Sequence, residues 1–219
     1  MKQANAHFRL PSGRRLLVRF LILSAAALGS QPAAATAQHP WSALSAEMQV
    51  RLALQAAPKD LRETAAVQGY DADGAFVTLR QGEGPLICMA PAPAQKVLEV
   101  SCHYRGLEPF FARGRELLAQ GITGEERART RWREYTAGTL PIPYGSINYI
   151  VVGSGFDPET GEVRDSYTRW TIYTPGATPE TTGITGVPGP GSPWLMFPGT
   201  PGAHIMIVPR RPGTASDGG

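Results

Sequence analysis

The order in which hydrophobic periods succeed one another is the feature that most narrows the fold. From Thr64 to Tyr104 the pattern is that of strands, from Glu108 to Ala137 it is helical, and from Ile147 onward it is strand-like again. Blocks of strands, then helices, then strands, joined by short hairpin connections, predict an α+β fold. The expected arrangement is an antiparallel sheet with an N-terminal helix and a central helical pair.

Local signals support each element. Leu44, Met48 and Leu52 recur at four-residue spacing within Ser42–Ala57, Val50 and Leu54 widen that apolar face, and Pro58 ends the run. Asp73-Gly74 between Ala65–Tyr70 and Ala75–Leu79 predicts a hairpin rather than the start of a calcium loop, because the later ligand positions are missing. Leu86–Met89 and Val97–Cys102 form a further strand pair. Pro109 opens a helix at a position where its missing N–H costs nothing, with Phe110, Gly114, Leu117 and Leu118 as the buried stripe and Gly121 as the cap. Thr123 and Glu126 predict a capping box for the second helix, Gly124–Ala137. Ile147–Val152 and Tyr167–Tyr173 suggest a long hairpin, and Ala203–Val208 a last strand. Between them, residues 175–202 hold seven Gly and seven Pro, a length of loop uncommon in a compact domain unless it is functional or disordered. Trp194, Leu195, Met196 and Phe197 within it predict a loop pinned to the core.

Residues 1–37 read as a cleavable export signal. Arg14, Arg15 and Arg19 supply a positive start, Leu16–Val18, Phe20–Leu23 and Ala25–Leu28 a short apolar core, and Ala35-Thr36-Ala37 the small-x-small cleavage pattern. Arg14-Arg15 loosely resembles a twin-arginine signal, although arginine pairs also occur in ordinary ones. The expected organisation is therefore a signal at 1–37, one globular domain at 38–209 with a Gly/Pro-rich loop at 175–202, and an unstructured tail at 210–219. The segment 1–37 contains five of the 21 basic side chains and none of the 18 acidic ones, so cleavage would leave 16 against 18, a formal charge of −2. No basic footprint for nucleic acid or an anionic membrane then remains, and no further long apolar run calls for a membrane span. The expected location is periplasmic or secreted.

Cys88 and Cys102 are the only cysteines, and in an oxidising compartment an even count reads first as a disulfide between neighbouring strands. His103 and His204 are the histidines of interest. Each is a strand residue that burial and one hydrogen bond would explain. A shared catalytic site would need the two adjacent, with Glu108 or another carboxylate orienting a ring. No G-x-S-x-G, H-E-x-x-H, P-loop or S-x-x-K pattern is present. Arg127, Arg129, Arg131 and Arg133 on the second helix read as a solvated face, with an anion site as the alternative. Arg113 and Arg115 could hold an anionic ligand or pair with Glu108 and Glu116. Tyr104, Tyr144, Tyr149, Trp170, Trp194 and Phe197 could line a pocket or belong to the core.

Cys102-His103-Tyr104, residues 107–117 and residues 198–207 resemble segments of exported bacterial proteins. That resemblance implies an exported globular protein and supplies no activity, cofactor or catalytic residue. The expectation is thus a non-catalytic exported protein, without metal or cofactor, that binds a small molecule or a partner, with Arg113, Trp194 and Phe197 as candidate binding residues. The alternative is a small hydrolase or metal-assisted enzyme using His103, His204 and Glu108. A haem or redox protein, with Met196 or Met206 as ligand, is a third.

Overall fold

The structure is a computed structural model and describes Trp41, residues 44–189 and residues 191–210. The export segment expected at 1–37 and the tail beyond Arg210 lie outside the described residues.

Helix α1 (Ala46–Ala53) begins at Ser45, whose hydroxyl accepts from the Met48 N–H at 3.2 Å. The helical pattern expected as far as Ala57 tightens into a 3-10 turn over Leu54–Ala56, and Ala57 is extended. Pro58 disfavours the helical region for the residue before it, which accounts for that end. Strands β1 (Ala66–Tyr70) and β2 (Phe76–Arg80) form the expected hairpin. Its turn is closed by the Asp71 carboxylate, which accepts from the N–H groups of Asp73 and Ala75 at 3.0 and 2.9 Å.

Strand β3 (Leu86–Met89) runs parallel to β1, an exception to the otherwise antiparallel sheet. The short link from β2 doubles back beneath the start of β1, with the Gly84 N–H donating to the Thr64 carbonyl at 2.8 Å. The Arg105 guanidinium holds this link through the carbonyls of Gly82 and Gly84 at 2.6 and 3.0 Å. Strand β4 (Leu98–Tyr104) pairs antiparallel with β3 and sets Cys88 directly opposite Cys102. Their sulfurs lie 2.06 Å apart, a disulfide distance.

Helices α2 (Glu108–Ala119) and α3 (Gly124–Thr136) follow. Two expectations change here. Thr123 occupies the N-cap of α3 but its side chain makes no cap bond, because Gly124 enters the helix with a left-handed φ of 54° and breaks the geometry a capping box needs. Leu118, expected in the buried stripe of α2, is 45 % exposed, while Phe110, Gly114 and Leu117 are buried.

Strands β5 (Ser146–Gly153) and β8 (Tyr167–Tyr173) form the long hairpin, tipped by a small ribbon of β6 (Gly155–Phe156) and β7 (Val163–Arg164). The Gly/Pro-rich segment is partly regular. It carries the single turn α4 (Pro179–Thr182), capped reciprocally by Thr178 and Thr181, and strand β9 (Trp194–Met196), which buries Leu195. Strand β10 (His204–Ile207) pairs with β8 and β9. The eight-stranded order is β2-β1-β3-β4-β5-β8-β10-β9, an α+β arrangement with four α-helices among the described residues.

The two sheet faces differ in chemistry. One is apolar: Val67, Cys88, Val100, Cys102 and Val151 meet Leu52, Ala53 and Ala56 of α1 and its 3-10 extension, with Trp41 at the margin. The other face is polar along its middle, where register sets His103 beside Asn148, Asn148 beside Thr171 and Thr171 beside Met206. Over this second face Leu107, Phe110, Leu140 and Ile142 form a separate apolar cluster. Among the described residues no helix is long and apolar enough to cross a membrane.

Candidate functional site

A cleft of about 370 Å³ opens between α2, α3 and the β8–β10 part of the polar face. Its walls are aromatic: Phe110 and Phe111 from α2, Trp132 from α3, Tyr173 from β8, Phe197 from the loop after β9, and His204 from β10. Successive rings touch mainly edge to face, with Phe110–Tyr173 at 5.6 Å, Tyr173–His204 at 5.5 Å, Phe197–His204 at 5.8 Å and Trp132–Phe197 at 5.4 Å.

Two glycines permit this assembly by close approach. A Cβ on Gly202 would lie 2.2 Å from Trp132 Nε1, so only glycine admits the indole against the strand that leads into His204. A Cβ on Gly114 would lie 3.0 Å from Arg131 Nη1, where the guanidinium crosses α2. Phe197 itself sits at a left-handed φ of 55° and is 47 % exposed. A bulky side chain in that region is a backbone outlier, and such outliers concentrate at ligand sites.

Three arginines also line the cleft. Arg115 is neutralised by Glu108, to which it donates a short hydrogen bond. Arg127 and Arg131, one turn apart on α3, have no carboxylate partner among the described residues, and their Nε atoms are buried and bonded to nothing there. Arg131 lies 4.1 Å over the Phe110 ring and reaches the Phe110 carbonyl at 3.4 Å. Burial, then the charge of Arg127, pushes the Arg131 guanidinium below its ordinary pKa. Burial pushes the Tyr173 phenol up to about 12, so the hydroxyl remains a donor, and it bonds to no described residue.

His204 Nδ1 lies 2.8 Å from the Gly202 carbonyl. A carbonyl only accepts, so Nδ1 carries the proton and Nε2 is left as a bare acceptor. Burial lowers the His204 pKa, with the Gly202 hydrogen bond opposing it. The imidazole is neutral at pH 7.

His103 lies apart from the cleft. It is fully buried under Phe111, whose ring stacks on it at 4.3 Å, and its Nε2 donates to Glu108 at 2.8 Å. Burial lowers its pKa against the opposing pull of Glu108. Glu108 in turn is pushed up by burial, but the hydrogen bond from His103 and the Arg115 charge outweigh that and hold it below the ordinary value. His103 and Glu108 are therefore paired as a neutral imidazole on a carboxylate, an arrangement that anchors the start of α2 to β4. His204 does not join them: β5 and β8 separate β4 from β10, and at about 4.8 Å per strand the two histidines are some 14 Å apart across the sheet.

Of the residues singled out in the sequence for binding, Phe197 lines the cleft. Arg113 is held outside it by Glu134 at 2.8 Å and Glu116 at 3.0 Å. Trp194 stands on β9 opposite Met206 and is absent from the lining. Tyr104, Tyr144 and Tyr149 meet at a shallower depression beside Pro85 and Pro143. Sequence reasoning passed over Trp132 and Tyr173 as ligand contacts and took Arg127 and Arg131 mainly for a solvated face. The four-residue spacing of Arg127 and Arg131 sets them on one side of α3, but Arg129 and Arg133 share that spacing, so the pattern does not single out the pair that lines the cleft.

Comparison with protein-family models, with curated proteins and with solved structures finds no match to this chain.

Proposed function

We propose that this chain is an exported, non-catalytic protein that binds a small molecule in the aromatic cleft. The observation that carries the reading is the combination of a cleft of about 370 Å³, six rings in its walls and two arginines hydrogen-bonded to no carboxylate among the described residues. Sites for small molecules are concave and largely apolar, with a few polar groups that fix orientation, and this cleft has that character. Its described lining offers cations, a phenol, an imidazole and aromatic rings, and contains no carboxylate, serine, threonine or cysteine. That set is suited to holding a ligand rather than to attacking one. The export pattern of residues 1–37 and the paired cysteines support a periplasmic or secreted location.

The test is a thermal-shift screen of the purified protein against a small-molecule library, with Ala128→Trp as the control because Ala128 lines the cleft. Ligands that raise Tm in the native protein and fail to do so in the filled variant support the reading. A library without a hit, or hits that survive Ala128→Trp, count against it.

A further inference from the structure

We infer that the ligand of this cleft is a small aromatic carboxylate, its carboxylate held by the guanidinium groups of Arg127 and Arg131 and its ring among Trp132, Tyr173 and Phe197. The inference rests on the cleft being a binding site and adds the class of occupant.

The chain supplies its own standard for what such an arginine does. Arg113 sets Nε and Nη2 on Glu134 at 3.0 and 2.8 Å, and Arg129 sets the same two atoms on Glu125 at 3.0 and 2.6 Å. In both pairs two guanidinium N–H groups converge on one carboxylate oxygen, Oε1, and Arg113 Nε also reaches Oε2 of Glu134 at 3.0 Å. Arg127 and Arg131 line the cleft and are hydrogen-bonded to no acid among the described residues. Arg169, which also has a buried bare Nε, is neutralised by Glu99 at 2.6 Å, so the cleft pair differs in charge and not only in hydrogen bonding. The carboxylates near the cleft are committed elsewhere, Glu108 to Arg115 and His103, and Glu134 to Arg113.

Charge and surroundings then select the acid. Two like charges one helical turn apart repel, so an anion seated between them relieves that repulsion. One face of Arg131 is covered by Phe110, which fixes the guanidinium at the cleft wall. A singly charged carboxylate costs less to desolvate among these rings than a doubly charged phosphonate. The remaining walls are rings, which offer faces and edges to an aromatic body.

The experiment is calorimetric titration with 3-phenylpropionate, 3-phenylpropanamide and 2-phenylethylphosphonate. The acid is expected to bind at least about tenfold more tightly than the amide, consistent with a charge-assisted bidentate contact. Arg127→Gln and Arg131→Gln should each reduce acid binding toward the amide level and leave the amide unchanged. Arg131→Lys, which keeps the charge and loses the fork, should restore only part. Far-UV circular dichroism checks that each variant folds, and Arg127→Gln removes a side chain that holds no described partner. Equal binding of acid and amide, no binding of the acid, or acid binding indifferent to both Gln variants would overturn the carboxylate while leaving the cleft reading to the library screen. Tighter binding of the phosphonate than of the acid overturns the choice of a carboxylate. Acid binding that survives Ala128→Trp overturns the cleft reading as well.

Discussion

Phe197 holds a left-handed φ of 55° in a loop that has glycines on hand, and its ring closes the cleft against Trp132 and His204. For an L-residue this conformation costs about 1–2 kcal/mol, which glycine avoids. Phe197→Gly and Phe197→Ala both lose the ring, but only the alanine variant keeps the strain. Urea denaturation should therefore find Phe197→Ala about 1 kcal/mol less stable than Phe197→Gly, and equal stabilities would mean that the backbone is unstrained there. Gly202 has the opposite constraint. Gly202→Ala drives a Cβ to within 2.2 Å of Trp132 Nε1, and overpacking of that kind costs about 1–3 kcal/mol. The arginine pair should show the stability cost of a functional site. Relieving its like-charge repulsion in Arg127→Gln should leave the unliganded protein as stable as before or more so, by about 0.2–0.5 kcal/mol, while ligand affinity falls.

At the scale of elements, the strands and the helical pair were legible because their apolar periods are strong and their turns have specific residues. The Asp73-Gly74 hairpin, the proline at the start of α2 and the β3–β4 pair carrying Cys88 and Cys102 all follow from local chemistry. The parallel pairing of β1 with β3 was not legible. It depends on a short link folding back under β1 and on Arg105, a residue distant in sequence, bonding that link's carbonyls. Helix α3 was ambiguous for a different reason. It has no fully buried residue, so its sequence pattern cannot separate the arginines that face solvent from those that face the cleft. The cysteine pair gives this scale its prediction. Closing a loop of 14 residues restricts the unfolded chain by about 3 kcal/mol, so Cys88→Ala with Cys102→Ala should lower unfolding stability by roughly that amount. A loss well under about 1 kcal/mol would place the cross-link's effect elsewhere.

For the whole molecule, the polar sheet face links stability to pH. Burial lowers the pKa of both His103 and His204 relative to the unfolded value of 6.5. The unfolded chain then binds protons that the folded chain refuses. The stability that depends on these neutral rings is complete above about pH 6.5 and declines as pH falls below it toward the lowered folded values. Glu108, also held below its ordinary 4.5, adds a second loss that begins near that pH. Denaturation midpoints measured from pH 8 to pH 4 should be level above pH 7 and fall in these two stages. His204→Gln should flatten part of the first stage, and a midpoint level from pH 7 to pH 5.5 would contradict the neutral, buried state of the rings.

From the sequence by itself follow the α+β class, the hairpins, the helical pair and the strand pairing that aligns Cys88 with Cys102. Each of these depends on interactions between residues close along the chain or on a periodicity that a short window contains. The cleft is a tertiary product. Phe110, Trp132, Tyr173, Phe197 and His204 come from five separate segments, and only the β8–β10 pairing and the packing of α2 and α3 over the polar face bring their rings together. The same packing sealed His103 under Phe111, set it three strands from His204, and left Arg127 and Arg131 in the cleft lining, bonded to no carboxylate among the described residues. Charge and residue type are properties of the sequence. Whether a charge finds a partner depends on distances that exist only once the chain has folded.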